Sequence, residues 1–138
     1  MSYPGLPTSA RRRSAQAYAS VGLETQVMSA SPERLIMLLL EGAQQAIAKA
    51  RLHLRHGNVA ERGTAISKAI DIVDSGLKAS VNPEQGGEVA DSLIQSYELI
   101  IRHLMLANMR ADDSHLETAD NMLGNIAQAW QEITTADS

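Results

Sequence analysis

Apolar residues recur at three- and four-residue steps along most of the chain after residue 30, the spacing that predicts amphipathic helices. In the first such segment, one stripe consists of Leu35, Leu39, Ala43, Ala46, Ala50 and Leu54. Ser31 is a candidate N-cap, Pro32 suits the first helical position, and Gly57 is a stop signal. A first helix is therefore predicted from Ser31 to His56.

The pair Asn58 and Glu61 resembles a capping box and predicts a second helix that reaches about Val81. The stretch 82–87, with its Asn-Pro and Gly-Gly pairs, predicts a loop. A third helix is predicted from about residue 88 to 109.

Ser114 and Glu117 form another capping-box pattern and predict the start of a fourth helix. Its apolar stripe ends near Trp130, which is expected to anchor the core. Four long helices with short connections predict an all-α, antiparallel up-and-down four-helix bundle over residues 31–135. Residues 1–17 are rich in Pro, Gly and Ser and are predicted to be a disordered tail, and residues 18–30 a partly ordered N-terminal arm.

The third helix carries more apolar residues than one bundle face requires. One face consists of Val89, Leu93, Tyr97, Ile100, Leu104 and Ala107. Ile94, Ile101 and Met105 form a second stripe beside it, and the first helix adds Met37, Leu38 and Leu40 outside its main stripe. Composition leaves two interpretations open: a broad core or homodimer interface, and a groove that receives partner helices.

Composition and charge exclude several classes of protein. Hydrophobic residues make up 44% and Cys is absent, so no disulfide framework, thiolate zinc site or catalytic thiol is possible. The apolar run 35–40 is far shorter than the roughly 20 residues of a membrane span, and no apolar signal segment follows the basic residues 11–13. The first 30 residues carry a net charge of +2, and the remainder carries −6. Aromatic residues make up only 3% of the whole chain. These features argue against stable membrane insertion and against nucleic-acid binding.

No pattern indicates an enzyme, a metal site or a cofactor. Inward Glu-x-x-His pairs and glycine-rich phosphate loops are missing from the sequence. His53 and His56 are expected to be solvated polar residues. The run from His53 to Gly57 faintly resembles a histidine phosphotransfer domain, but Gly57 is better explained as a helix stop.

Many residues match, at the same spacings, the FliS flagellin-specific secretion chaperones, which the chain resembles over roughly residues 15–133. The matching positions are Tyr18, Val27, Ser29, Ala30, Ser31, Pro32, Glu33, Leu35, Ile36, Leu38, Leu39, Gly42, Ala43, Ile66, Lys68, Ala69, Gly86, Gly87, Glu88, Ala90, Tyr97, Leu104, Ala107, Asn108, Ala129 and Trp130. The segment 31–43 and the pair Ala107-Asn108 are the most specific parts. The chain departs from the family pattern at Ala15, at Leu40-Glu41 and at Ser96, which puts particular groove contacts in question.

The resemblance implies a cytoplasmic chaperone without enzymatic activity or cofactor. It would bind the C-terminal segment of flagellin, prevent premature polymerisation and keep flagellin competent for type III export. An export-gate component and a second copy of the empty chaperone are further possible partners. The expected flagellin contacts are Tyr18 and Val27 in the arm and Leu38, Ile94, Tyr97, Ile101, Met105 and Asn108 in the groove, and core packing is the alternative role of the groove residues. A self-associating helical bundle and, less well supported, a phosphotransfer domain are the alternative functions.

Overall fold

The computed structural model describes residues 30–136, and this part of the chain forms four helices and no strand. The helices are α1 (Pro32–Arg55), α2 (Val59–Asp71), α3 (Pro83–Arg110) and α4 (Asp113–Ala136). A π-helical segment, Ile72–Leu77, and a 3₁₀ turn, Lys78–Ser80, continue α2. The predicted all-α four-helix bundle is confirmed. The predicted tail and all of the predicted arm except residue 30 lie outside the described residues.

Helix α1 begins and ends where the sequence signals predict. The Ser31 hydroxyl accepts a hydrogen bond from the Arg34 amide at 3.2 Å. At the other end Gly57 has a φ of 72°, and the Asn58 amide donates to the His53 carbonyl at 2.9 Å. This is a Schellman ending, in which glycine supplies the left-handed residue that closes the helix.

Neither predicted capping pair forms the expected hydrogen bonds, although Asn58 is the N-cap residue of α2 as predicted. The Asn58 side chain makes no capping bond to α2, because its backbone completes the end of α1 and its Nδ2 lies 3.3 Å from His53 Nδ1. Helix α4 is capped by Asp112, whose carboxylate accepts from the Ser114 amide at 2.9 Å and from the Ser114 hydroxyl at 2.7 Å. The cap therefore lies two residues earlier than predicted, and Ser114 lies inside the helix.

The predicted loop 82–87 is mostly helical. The Asn82 side chain accepts from the amides of Glu84 and Gln85, so a helical turn begins at Pro83. The break is confined to Gly87, whose φ of 55° and ψ of −132° are open to glycine alone. The bundle thus turns into α3 through one residue rather than through a long loop.

The core is centred on α1, which packs between α2 and α4. Its buried side chains are Leu35, Leu38, Leu39, Leu40, Ala43, Ala46, Ile47 and Ala50. The surplus apolar residues Leu38 and Leu40 therefore belong to a broad core. Val89, predicted to be a core residue of α3, is 77% exposed, because it lies only two residues after the break at Gly87.

Both ends of α4 are tied to α1. The Arg51 guanidinium makes two hydrogen bonds of 2.8 Å to the Asp113 carboxylate at the start of α4. Near the other end, the Trp130 indole Nε1 donates to the Glu33 carbonyl at 3.0 Å. Trp130 is half-buried and packs against the core, so it anchors this end of α4 at the core's edge.

A histidine pair joins α3 to α4. The Nδ1 atoms of His103 and His115 lie 2.9 Å apart, and His115 Nε2 lies 3.9 Å from an Asp112 carboxylate oxygen. One ring nitrogen must donate and the other accept, so this contact requires at least one neutral imidazole. Burial, the nearby His115 and Arg102 lower the pKa of His103.

The two glycines Gly87 and Gly124 allow a test of the α3 break. Gly87→Ala places a Cβ at a φ of 55° and is expected to lower the free energy of unfolding by more than ~1 kcal/mol. Gly124→Ala lies inside α4, where the nearest atom to the new Cβ is the flexible end of Gln44 at 3.4 Å. It is expected to raise the free energy by about 0.5–1 kcal/mol. Urea unfolding measures both, and shifts of the same sign would contradict this account of the break.

Acidification is expected to destabilise the bundle through His103. Because its pKa in the fold is below the ordinary 6.5, the unfolded chain takes up the proton first, and stability is lost as pH falls below 6.5. Hydrogen bonds from Ser114 also lower the pKa of Asp112, but that carboxylate contributes stability that is lost only below its ordinary 3.8. Urea unfolding between pH 7.5 and 5 should therefore isolate the histidine, and His103→Asn should flatten the profile. The exposed His56→Asn is the control, and equal slopes for wild type and His103→Asn would contradict the prediction.

Candidate functional site

The start of α2 lies against the end of α3, held by one arginine. Arg62 Nε donates to Asn108 Oδ1 at 3.3 Å, and Arg62 Nη2 donates to the Asn108 carbonyl at 3.3 Å. A Cβ on Gly63 would lie 4.0 Å from the same Asn108 oxygen, so the two helices approach closely here. We call the line along which α2 and α3 meet the α2–α3 seam.

Several of the predicted groove residues lie on the seam side of α3. With 3.6 residues per turn, Ile94, Ile101 and Met105 leave the helix within about 60° of Asn108. Ile94 and Ile101 are half-buried, whereas Met105 is 56% exposed. The fold therefore brings four of the predicted contacts to one line on one helix.

Two exposed apolar residues that the sequence analysis did not select extend this surface. Met109 is 77% exposed and follows Met105 by four residues. This spacing places the two methionines side by side on a helix, so the sequence could have predicted Met109 as part of the surface. Val59 is 63% exposed and lies on the first turn of α2, within about 60° of Arg62 around that helix. Its position beside α3 depends on the packing of the two helices, which no local pattern reveals.

The exposed side chains at the seam suit an adaptable apolar contact. Methionine is unbranched and polarizable, so it fits partner surfaces of different shapes. The Arg62–Asn108 contact provides a polar boundary at this end of the seam. The combination is typical of a surface that receives an amphipathic segment of another chain.

The other predicted contacts fall into two groups. Leu38 and Tyr97 are only 3% and 2% exposed, so both lie in the core of the structure described here. Tyr18 and Val27 lie outside the described residues. Burial raises the pKa of the Tyr97 hydroxyl, which is therefore neutral across the physiological range.

Helix α2 is irregular where it continues along α3. The π-helical segment contributes the buried residues Ile72, Val73, Gly76 and Leu77, and it contacts both α1 and α3. The contact of α2 with α3 is also less extensive than the contacts of α1 with α2 and α4. Because π turns are frequent at functional sites, this irregular part of α2 supports the seam as the candidate site.

A cavity of about 370 Å³ lies between α1 and α2. Its walls combine small residues such as Gly42 and Ala46 with the charged Lys49, Glu61 and Lys68. This mixed lining is less suited than the seam to an apolar segment. The cavity therefore remains secondary to the seam as a candidate site.

A metal site, a membrane span and a phosphotransfer site find little support in the described residues. Residues 30–136 contain no group of three or more potential metal ligands, and none of their helices is long and apolar enough to cross a bilayer. His53 lies in the last turn of α1, and Gly57 ends that helix in a left-handed conformation. Gly57 therefore does not provide the mid-helix clearance that the phosphotransfer interpretation required.

Comparison with known proteins gives a consistent set of relatives. The family model described as flagellar protein FliS matches residues 14–137. The flagellar secretion chaperone FliS of Salmonella typhimurium is 48% identical over 119 residues, covering 86% of this chain and 88% of that protein. The protein of the same name from Escherichia coli is 38% identical, covering 89% and 90%. The flagellar secretion chaperone FliSB of Pseudomonas aeruginosa is 37% identical, covering 85% and 92%.

Proposed function

The chain belongs to the FliS family of flagellar secretion chaperones, and we propose that it binds the C-terminal segment of flagellin in the cytoplasm before export. This is a family of chaperones and not of enzymes. Covering that segment would prevent premature polymerisation of flagellin. It would also keep the segment unfolded enough for type III export.

The surface at the α2–α3 seam carries this proposal. Ordering a disordered segment costs about 2–5 kcal/mol or more, so the interface must bury a large apolar area to compensate. The exposed residues Val59, Met105 and Met109, with the half-buried Ile94 and Ile101, supply apolar surface along one line. Asn108 adds a polar contact at the end of that line, where Arg62 already orients its side chain.

The N-terminal arm, residues 18–30, is proposed to compete with flagellin for this surface. Tyr18 and Val27 are the proposed contacts, and they match the family pattern in the sequence. In this scheme, the arm and the flagellin segment exchange places when flagellin is bound or released. An export-gate component is a further proposed partner, although no particular surface is assigned to it.

Self-association is the second candidate function. The same exposed apolar residues of α2 and α3 would suit a homodimer of the empty chain. Dimerisation alone does not separate the two functions, because an empty chaperone that protects its groove would also dimerise. Binding of flagellin therefore decides between them.

Isothermal titration of the full chain with the last ~50 residues of the host flagellin tests the proposed function. Saturable 1:1 binding with a large negative heat-capacity change would support coupled folding of the segment on an apolar surface. No binding at tens of micromolar, with a folded chain and an intact peptide, would remove the proposal. Self-association would then be the explanation of the exposed apolar residues.

Met105→Glu is expected to weaken flagellin binding by about tenfold or more, because it places a charge in the apolar seam. Met105 is 56% exposed, so the fold should tolerate the change. Leu99→Glu is the matched control, since Leu99 is 45% exposed on the same helix but leaves it on the side opposite Asn108. Titration calorimetry measures both affinities, and equal effects of the two variants would argue against the seam.

Deletion of residues 1–28 is expected to change the affinity for the flagellin segment, because it removes a competitor for the seam together with the proposed contacts Tyr18 and Val27. The same calorimetric titration measures the change. Circular dichroism of the shortened chain provides the control that the bundle still folds. An unchanged affinity would eliminate competition by the arm and leave the seam itself unaffected.

A further inference from the structure

The Tyr97 hydroxyl is buried without a hydrogen-bond partner among residues 30–136. The side chain is only 2% exposed, and the hydroxyl neither donates to nor accepts from any of these residues. Buried polar groups in folded proteins are nearly always paired, because an unpaired one loses its hydration without compensation. This hydroxyl therefore calls for a role beyond packing of the aromatic ring.

Tyr97 faces the α2–α3 seam. It precedes Asn108 by three helical turns, so the two side chains leave α3 within about 20° of each other. Ile94 and Ile101 lie three residues before and four residues after Tyr97 and are its neighbours on the helix surface. Tyr97 thus lies beside the stripe that we propose as the flagellin contact.

The irregular part of α2 lies at the level of Tyr97. Arg62 meets Asn108, and α2 runs antiparallel to α3 from that point. Moving eleven residues back along α3 to Tyr97 corresponds to moving about eleven residues forward along α2, at 1.5 Å per residue on each helix. That distance reaches the π-helical segment Ile72–Leu77, where α2 departs from regular α-helical geometry.

A peptide that becomes ordered on an apolar surface brings carbonyl oxygens that need donors. Each short helix that it forms leaves its last carbonyls unpaired, and extended stretches leave more. Along the apolar stripe, most side chains offer no donor. The Tyr97 hydroxyl stays neutral and can donate, since burial raises its pKa.

We propose that the Tyr97 hydroxyl donates a hydrogen bond to a main-chain carbonyl of the bound flagellin segment when the seam opens beside the π-helical segment. This inference rests on the proposed function and adds a positioning residue to it. With no partner among residues 30–136, the hydroxyl destabilises the closed seam. In the complex the same hydroxyl gains a partner and fixes the position of the segment along α3.

Tyr97→Phe tests this proposal because it removes the hydroxyl and keeps the ring. The free variant is expected to melt about 2–5 °C higher than wild type, since an unpaired buried polar atom is gone. Its affinity for the flagellin segment is expected to fall about three- to tenfold, the equivalent of one neutral hydrogen bond. A residue with a purely structural role would not move stability and affinity in opposite directions.

Ser96→Ala is the matched control. Ser96 also carries a hydroxyl on α3, but that group donates to the Ser92 carbonyl within the same helix at 3.0 Å. Its removal is expected to leave flagellin affinity unchanged. An equal loss of affinity in both variants would overturn the proposal, because it would point to a general effect on α3.

The remaining outcomes are also decisive. Unchanged affinity of Tyr97→Phe, with normal binding by wild type, would overturn this inference and leave the proposed function intact. A lower melting temperature of the free variant would show that the hydroxyl has a stabilising partner in the free chain, which also overturns it. Failure of wild type itself to bind would remove the proposed function and this inference together.

Discussion

Helix α1 must be covered around most of its circumference, and this constraint shapes the rest of the bundle. Four of its leucines, three of its alanines and Ile47 are buried in several directions, against α2, the π-helical segment and α4. Helix α3 packs mainly on α4 and contributes to the core through a line that includes Tyr97, Ile100 and Leu104. Since the core is already filled from the α1 side, the second apolar stripe of α3 lies at the edge of the bundle.

The sequence predicted the elements well where the signal is local. The Ser31 cap and the Gly57 ending of α1 depend on neighbouring residues only, and both are confirmed. At Asn58 the predicted helix start is confirmed, but the side chain contacts His53 instead of capping α2, and at the start of α4 Asp112 takes the capping role predicted for Ser114. A spacing rule identifies candidate caps but does not rank two overlapping ones.

The candidate site was less predictable because it depends on contacts between distant parts of the chain. The second stripe of α3 was visible as a surplus of apolar residues, yet the similar surplus of Leu38 and Leu40 on α1 is buried in the core. Periodicity alone could not distinguish these two cases. The Arg62–Asn108 contact joins residues 46 positions apart, and only the packing of α2 against α3 reveals it.

Exposed apolar side chains beside the seam, such as Met105 and Met109, favour non-specific association unless other features oppose it. Along α3, the exposed Glu98 and Arg102 interrupt the apolar residues, so no long uncharged strip is formed. The part of the chain after residue 30 carries a net charge of −6, which disfavours close approach of two copies. Charge of this kind lowers the rate of unwanted encounters but does not select one binding register.

Register requires a directional contact. An apolar groove accepts an amphipathic segment at several positions related by a helical turn, because area burial alone differs little between them. A single buried polar residue in a coiled coil fixes register in this way and lowers stability in return. Tyr97 meets the same physical requirement: a donor without an internal partner, beside an apolar stripe and level with the least regular turn of α2. On the proposal made above, a hydroxyl without a partner among residues 30–136 lowers the stability of the bundle and fixes one position for the bound segment.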